Sequence, residues 1–309
     1  MCGIVGAVAE RNVVPILIEG LRRLEYRGYD SAGFAVQGDA SITRLRRLGK
    51  VQDLQDALDL HPTIGTTGLS HTRWATHGVP NEANSHPHMS RDSIAIVHNG
   101  IIENYEELRS DLKSKGYEFT SDTDTEVVAH RIHFHNQTAA DLVDAVRKTI
   151  VELEGAYALV VMSVDDAEIL VLARQGCPAI IGLGIGENFV ASDIMALLPV
   201  TSNFMFIDEG DVAKVERKSV TVWDEDGNVV ERPIKESQLT VDVADRGGFR
   251  HYMQKEIHEQ SEAVARTLSE RIANGKVLDA AFGLKAHEVL NATKGVHIVA
   301  CGTSYHSGM

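Results

Sequence analysis

Apolar residues recur along this chain in two rhythms, one near 3.6 residues and one near 2, and they predict helices mostly early and strands mostly late. The opening Cys2-Gly3-Ile4-Val5-Gly6-Ala7-Val8-Ala9 is small and β-branched, the pattern of a buried strand. Pro15, Ile16, Leu17, Leu21 and Leu24 then share one helical face over 13–24, with proline near the start. A polar, glycine-punctuated loop over 25–33 leads into the apolar Phe34-Ala35-Val36, and 93–98 reads as a strand. Helices are predicted from a cap at Asn104 to Gly116, over 127–135 and over 141–154. Strands follow over 157–164, 168–173, 179–183, 188–191, 205–207, 212–216 and 219–223, joined by turns such as Asp226-Gly227-Asn228. Many short strands with helices clustered ahead of them predict antiparallel sheets packed face to face under helices, an α+β fold.

After residue 235 the pattern lapses into a polar, glycine-containing linker over 236–250. Met253, Ile257, Val264, Leu268 and Ile272 then mark a long amphipathic helix, and 280–290 a second. Val296 to Cys301 reads as a doubly buried strand of the parallel type, running into the hydroxyl-rich Gly302-Thr303-Ser304-Tyr305-His306-Ser307-Gly308. A loop of that kind suits a phosphate at a helix start, and a plain polar loop is the alternative.

With 309 residues, 43% of them hydrophobic, two domains with substantial cores are expected. The balance of 30 basic against 44 acidic residues, a formal charge of -14, disfavours nucleic acid or an anionic membrane as a whole-surface partner. Three scattered cysteines predict a reduced compartment. No run approaches a membrane span or a secretory signal, so a cytoplasmic protein is expected.

Chemistry first suggests itself at Cys2, because a small side chain there allows Met1 to be removed. The exposed α-amine, with an ordinary pKa of roughly 7.7 to 8.0, then serves as base to the adjacent thiol, one residue supplying nucleophile and base. An ordinary buried thiol on a strand is the alternative. Arg27 in the following loop is a source of positive charge for a thiolate, or a solvated surface arginine. The block His71-Thr72-Arg73-Trp74-Ala75-Thr76-His77-Gly78, with His86 and His88 after it, lacks a complete ligand pattern, so no metal is expected. There Arg73 offers a planar fork to a carboxylate, with Thr76 and His77 as further polar contacts. Asn99-Gly100 reads either as a hairpin turn or, near a strand-to-helix passage, as a pair of oxyanion donors. Asp124 is either a helix cap or the partner of a substrate ammonium group, and with Arg73 it would describe an α-amino acid. His130, His133 and His135 do not share one helical face and read as structural.

In order along the chain, Met1-Cys2-Gly3-Ile4-Val5-Gly6, Tyr26-Arg27-Gly28-Tyr29-Asp30-Ser31-Ala32-Gly33, His71 to Gly78, His98-Asn99-Gly100 and Thr123-Asp124-Thr125-Glu126 together resemble the glutamine:fructose-6-phosphate aminotransferase family. His251-Tyr252-Met253-Gln254-Lys255-Glu256-Ile257 and Cys301-Gly302-Thr303-Ser304 are similar to that family's linker and the start of its isomerase half. The resemblance implies an N-terminal nucleophile hydrolase fold, a four-layer αββα sandwich of two antiparallel sheets. It places a glutaminase domain at 1–235, a linker at 236–250 and an incomplete α/β sugar-isomerase segment at 251–309. It implies Cys2 as nucleophile, Asn99 and Gly100 as oxyanion donors, and Arg73, Thr76, His77 and Asp124 as holders of glutamine. Arg27 and Trp74 would stand behind them, Trp74 sealing an ammonia path or else serving as a core aromatic. Thr303 and Ser304 match sugar-phosphate positions of a site that needs later residues. No cofactor is implied. Glutamine would be the substrate of this chain, and fructose 6-phosphate a substrate only of the full-length homodimeric enzyme. Alternatives are another amidotransferase, such as amidophosphoribosyltransferase, and a glutamine-binding module without turnover.

Overall fold

The computed structural model describes all residues except 1, 39–40, 75–77, 238–248, 269–270, 274–275, 279–285 and 301. The chain divides into two compact units, Met1–Asp245 and Arg246–Met309. In the first unit the elements in chain order are β1 (Gly3–Val8), α1 (Val14–Leu24), β2 (Ser31–Gln37), β3 (Ile42–Leu48), α2 (Val51–Leu60), β4 (Thr67–Arg73), β5 (His88–Ser90) and β6 (Ile94–Ile102). Then come α3 (Tyr105–Ser114), α4 (Asp124–Asn136), α5 (Leu142–Ile150), β7 (Gly155–Ser163), β8 (Ile169–Gln175), β9 (Ile180–Leu183) and β10 (Asn188–Ala191). The unit closes with β11 (Asn203–Phe206), β12 (Val212–Glu216), β13 (Val220–Trp223), β14 (Val229–Val230) and β15 (Ile234–Glu236).

These strands form two antiparallel sheets, one ordered β15-β11-β9-β10-β1-β4-β2-β3 and the other β14-β13-β12-β8-β7-β6-β5. Their facing sides share one apolar layer, in which Ile4, Val8 and Leu69 of the first sheet pack with Val97, Val160 and Leu172 of the second. The outer face of the first sheet is covered by α1 and α2 through Leu17, Leu21, Phe34 and Leu54. Helices α4 and α5 cover the second through Val128, Ile132, Val146 and Leu159. Residues on alternate sides of each strand therefore feed different layers, which is why β1 is buried on both faces and reads as a continuous apolar run. Each fully buried aliphatic side chain contributes about 1.5–3 kcal/mol relative to exposure. The α+β, four-layer expectation stands.

Several local expectations change. Strand β6 runs unbroken through Asn99 and Gly100, so that pair is no hairpin turn; Asn99 pairs with Ala158 and Gly100 with Tyr157 of β7. Asn104 does not cap α3 with its side chain, which instead bonds the main chain at Glu152 and Glu154, tying the helix entry to β7. His71 to Arg73 lie in β4, a strand the hydrophobic pattern did not predict.

The second unit contains helix α6 (Tyr252–Leu268), a two-residue hairpin of β16 (Ile272–Ala273) with β17 (Lys276–Val277), and helices α7 (Ala286–Ala292) and α8 (Gly302–Gly308). Residues 296–300 form no strand and are exposed, with Val299 at 95%. A parallel-type strand is stable only with hydrogen-bonded neighbours and covered faces, and among the described residues none pairs with this segment. The 302–308 stretch is helical rather than an open loop, and Cys301 lies outside the described residues.

Candidate active site

The two sheets bring the ends of β1, β4 and β6 to one rim of the first unit. Cys2 stands immediately before β1, whose Gly3 pairs with Thr72 of β4. At the end of β4, Arg73 pairs with Ser31 at the start of β2. The loop leading into β2 is held close: a Cβ at Gly28 would come 2.8 Å from the Arg73 carbonyl carbon, and the Asp30 N–H donates to the Arg73 carbonyl at 3.1 Å. Glycine at 28 is thus required by close approach rather than by its dihedral angles.

A cavity of about 440 Å³ opens at this rim, lined among others by Cys2, Arg27, Arg73, Trp74, Asn99, Gly100, Asp124 and Cys177. The Cys2 sulfur accepts the Trp74 backbone N–H at 3.1 Å. Burial pushes the Cys2 thiol pKa up, opposed by that N–H and by the Arg73 charge and reinforced by Asp30. The Asn99 Nδ2 donates to the Cys2 carbonyl oxygen at 3.0 Å, so a group on the second sheet is hydrogen-bonded to the residue that begins the first. Gly100 has φ +129°, a region that favours glycine.

Arg73 is buried, and its Nη2 donates to the Gly78 carbonyl at 3.2 Å. Burial lowers its pKa, while Cys2, Asp30 and Asp124 oppose that shift. Asp124 is the first residue of α4, with Thr123 as the cap whose side chain accepts the Glu126 N–H. The carboxylate is therefore released from capping, and its Oδ2 accepts the Ile102 N–H at 2.9 Å just beyond the Asn99-Gly100 pair. An arginine and an aspartate in one cavity beside a thiol suit the carboxylate and ammonium ends of an amino acid.

Arg27 is ion-paired with Asp193 and donates to the Tyr26 hydroxyl at 3.0 Å. Trp74 is no core aromatic: it is 45% exposed and packs edge-on against Tyr29 with ring centroids 5.4 Å apart. Thr76 and His77 lie outside the described residues. Ser304 is exposed on α8 in the second unit, where Thr303 also falls on the backbone. Asp30, Cys177 and the buried His71, His86 and His98 were not singled out as site residues by the sequence. Of these, Asp30, His71 and His98 lie inside the motifs that carry the resemblance. Among the described residues no group of three or more His, Cys, Asp or Glu is arranged to hold a metal, and no helix is long and apolar enough to cross a membrane.

Residues 71–199 match the family model described as a glutamine amidotransferase domain. The whole chain is 59% identical to the glutamine–fructose-6-phosphate aminotransferase (isomerizing) of Shewanella oneidensis, over 51% of that protein's length. It is 57% identical to the protein of the same name from Vibrio parahaemolyticus, again over 51% of its length. The chain thus spans about half the length of the curated relatives it matches. Among solved structures, the glutamine phosphoribosylpyrophosphate amidotransferase from B. subtilis, complexed with ADP and GMP, superposes with a TM-score of 0.64 at 24% identity, covering 74% of this chain and 50% of that one. A structure titled as the allosteric regulatory enzyme of purine biosynthesis gives 0.60 at 24% identity, covering 77% and 50%. These two likenesses are of fold.

Proposed function

Because the chain carries a glutamine amidotransferase domain homologous to that of the glutamine–fructose-6-phosphate aminotransferases, we propose that its cavity hydrolyses glutamine to glutamate and ammonia. The observation that carries this reading is the convergence of Cys2, Asn99, Gly100, Arg73 and Asp124 on one cavity. Removal of Met1 leaves the Cys2 α-amine to accept the thiol proton, and the sulfur attacks the side-chain amide carbon of glutamine. The Asn99 amide and the Gly100 N–H stabilise the oxyanion, each donor being worth about 3–4 kcal/mol in comparable sites. The α-ammonium returns its proton to the departing ammonia, a thioester remains on Cys2, and water releases glutamate. Arg73 holds the substrate carboxylate and Asp124 its ammonium group, with Thr76 and His77 as further contacts. Trp74 covers the rim and limits loss of ammonia, and Arg27, held by Asp193, fixes the loop beneath it.

For the longer protein, ammonia passes to fructose 6-phosphate in a cytoplasmic homodimer. Residues 1–235 then form the glutaminase domain, 236–250 the linker and 251–309 the beginning of a sugar-isomerase domain in which Thr303 and Ser304 meet the phosphate. This chain alone is expected to make no glucosamine 6-phosphate. The test is glutamate release from glutamine by Met1-free protein, verified by intact mass, beside Cys2→Ala. Release that disappears in Cys2→Ala, with glutamine binding retained, supports the reading. Met1-free protein that binds glutamine and releases no glutamate leaves a binding module.

A further inference from the structure

We propose that His71, which does not line the cavity, is a positioning residue for the oxyanion donor Asn99: its Nε2–H holds the Asn99 side-chain carbonyl so that the amide N–H₂ faces Cys2. The assignment rests on the glutaminase reading and deepens it.

His71 Nε2 lies 3.0 Å from the His98 carbonyl oxygen and 3.0 Å from Asn99 Oδ1. A main-chain carbonyl only accepts, so Nε2 must carry the hydrogen. Its second near neighbour is then also an acceptor, which makes that end of the Asn99 amide the oxygen. The far end is read independently: Asn99 Nδ2 stands 3.0 Å from the Cys2 carbonyl, another pure acceptor. Two main-chain carbonyls, one at each end of the chain of bonds, therefore fix the amide's orientation, and a flipped Asn99 would set oxygen against oxygen at Cys2. His71 is fully buried, which pushes its pKa down to about 3 and keeps it a neutral, single-hydrogen ring at working pH. The His86 Nδ1, 3.2 Å from the same Nε2, is a further acceptor around that hydrogen.

The other nitrogen supports the assignment. His71 Nδ1 is buried with no hydrogen-bond partner among the described residues. The unpaired Nδ1 is a local cost, so the ring's hydrogen bonding among the described residues is confined to Nε2. What the ring supplies is the Nε2–H, and its useful recipient is the one group the mechanism aims at a developing charge. A donor held loosely loses much of its effect on rate while leaving ground-state binding intact.

The experiment measures glutamate release by the Met1-free chain for wild type, His71→Leu and His71→Gln, each alone and with Asn99→Ala. His71→Leu removes the donor; the glutamine side chain returns an N–H near the Nε2 position. Expected is a fall in kcat of about 10- to 100-fold for His71→Leu with KM for glutamine within about threefold, and recovery of most of that loss in His71→Gln. On the Asn99→Ala background, His71→Leu should cost less than about twofold further, because two residues acting through one interaction are not additive. His71→Asn, whose amide stops short of the Nε2 position, replaces His71→Leu if the latter does not fold. A wild-type rate in the donor-less variant, an equal loss in His71→Gln, or a full additional loss on Asn99→Ala overturns the assignment alone. A wild-type chain that releases no glutamate overturns the glutaminase reading and this assignment with it.

Discussion

At Gly100 two demands fall on one residue. Its φ of +129° excludes most side chains, and an added Cβ would stand 1.9 Å from the Ala156 carbonyl oxygen and 2.8 Å from its carbon. Both obstacles are backbone of the neighbouring strand, so no rotamer change relieves them. Gly186 has a similar dihedral demand, φ +71°, with nothing within 4 Å of a Cβ. Gly186→Ala should therefore cost only the dihedral strain, on the order of 1 kcal/mol, and leave glutamate release unchanged. Gly100→Ala should lower the thermal midpoint much further and abolish release, since β6 must part from β7 where the proposed oxyanion donors sit. Equal midpoints for the two variants would show that β6 yields locally. The same comparison explains why Asn99-Gly100 was ambiguous in the sequence: a glycine at positive φ serves a turn or a strand, and only the pairing partner across the sheet distinguishes them.

Helix α4 shows how an element can free a residue for binding. Thr123 caps the helix by accepting the Glu126 N–H, and the Glu126 carboxylate in turn accepts the Thr120 and Ser121 N–H groups. With those donors satisfied, Asp124 is free to face the cavity. Thr123→Ala should destabilise the fold by about 1 kcal/mol, read from a urea melt. It should also raise KM for glutamine more than it lowers kcat, because in the proposed reaction Asp124 holds the substrate and does not react. A kcat loss with unchanged KM would place Asp124 elsewhere in the mechanism. The acidic helix start was legible at 123–126, as were β1, α1 and the strands between 157 and 223, because each carries its own periodicity. The short β5, the edge strand β15 and β4 were not. Polar Ser70, His71, Thr72 and Arg73 are all buried in β4, and a hydrophobic pattern cannot report a strand whose buried side is polar. Legibility failed in the opposite direction at 296–300, where apolar residues promised a strand that pairs with no neighbour among the described residues.

The whole first unit places a stack of imidazoles beneath the rim between its sheets. His71 and His86 have ring centroids 4.1 Å apart, and His86 and His88 4.9 Å apart. Burial lowers all three pKa values, His71 to about 3 and the other two well below the ordinary value, with Arg46, Arg44 and Arg73 adding repulsion at His88. Contrary pulls exist, since the Asn99 side chain and the His98 carbonyl favour a protonated His71, but burial outweighs them. In the unfolded chain each ring titrates near 6.5. Below that pH the unfolded state binds protons that the folded state refuses, so stability rises with pH through this range and is lost as pH falls. For His71 the window runs from about 6.5 down to about 3, at about 1.4 kcal/mol per pH unit while the unfolded ring is protonated and the folded one is not. Three such rings set a limit of about 4 kcal/mol per unit. Urea midpoints should therefore fall steeply between pH 7.5 and 5.5, well above the range in which carboxylates titrate, and the fall should be shallower by about one proton in His71→Gln. Equal stability at the two pH values would mean that the folded protein accepts protons in this stack, and the neutral ring required to orient Asn99 would not persist across the working range.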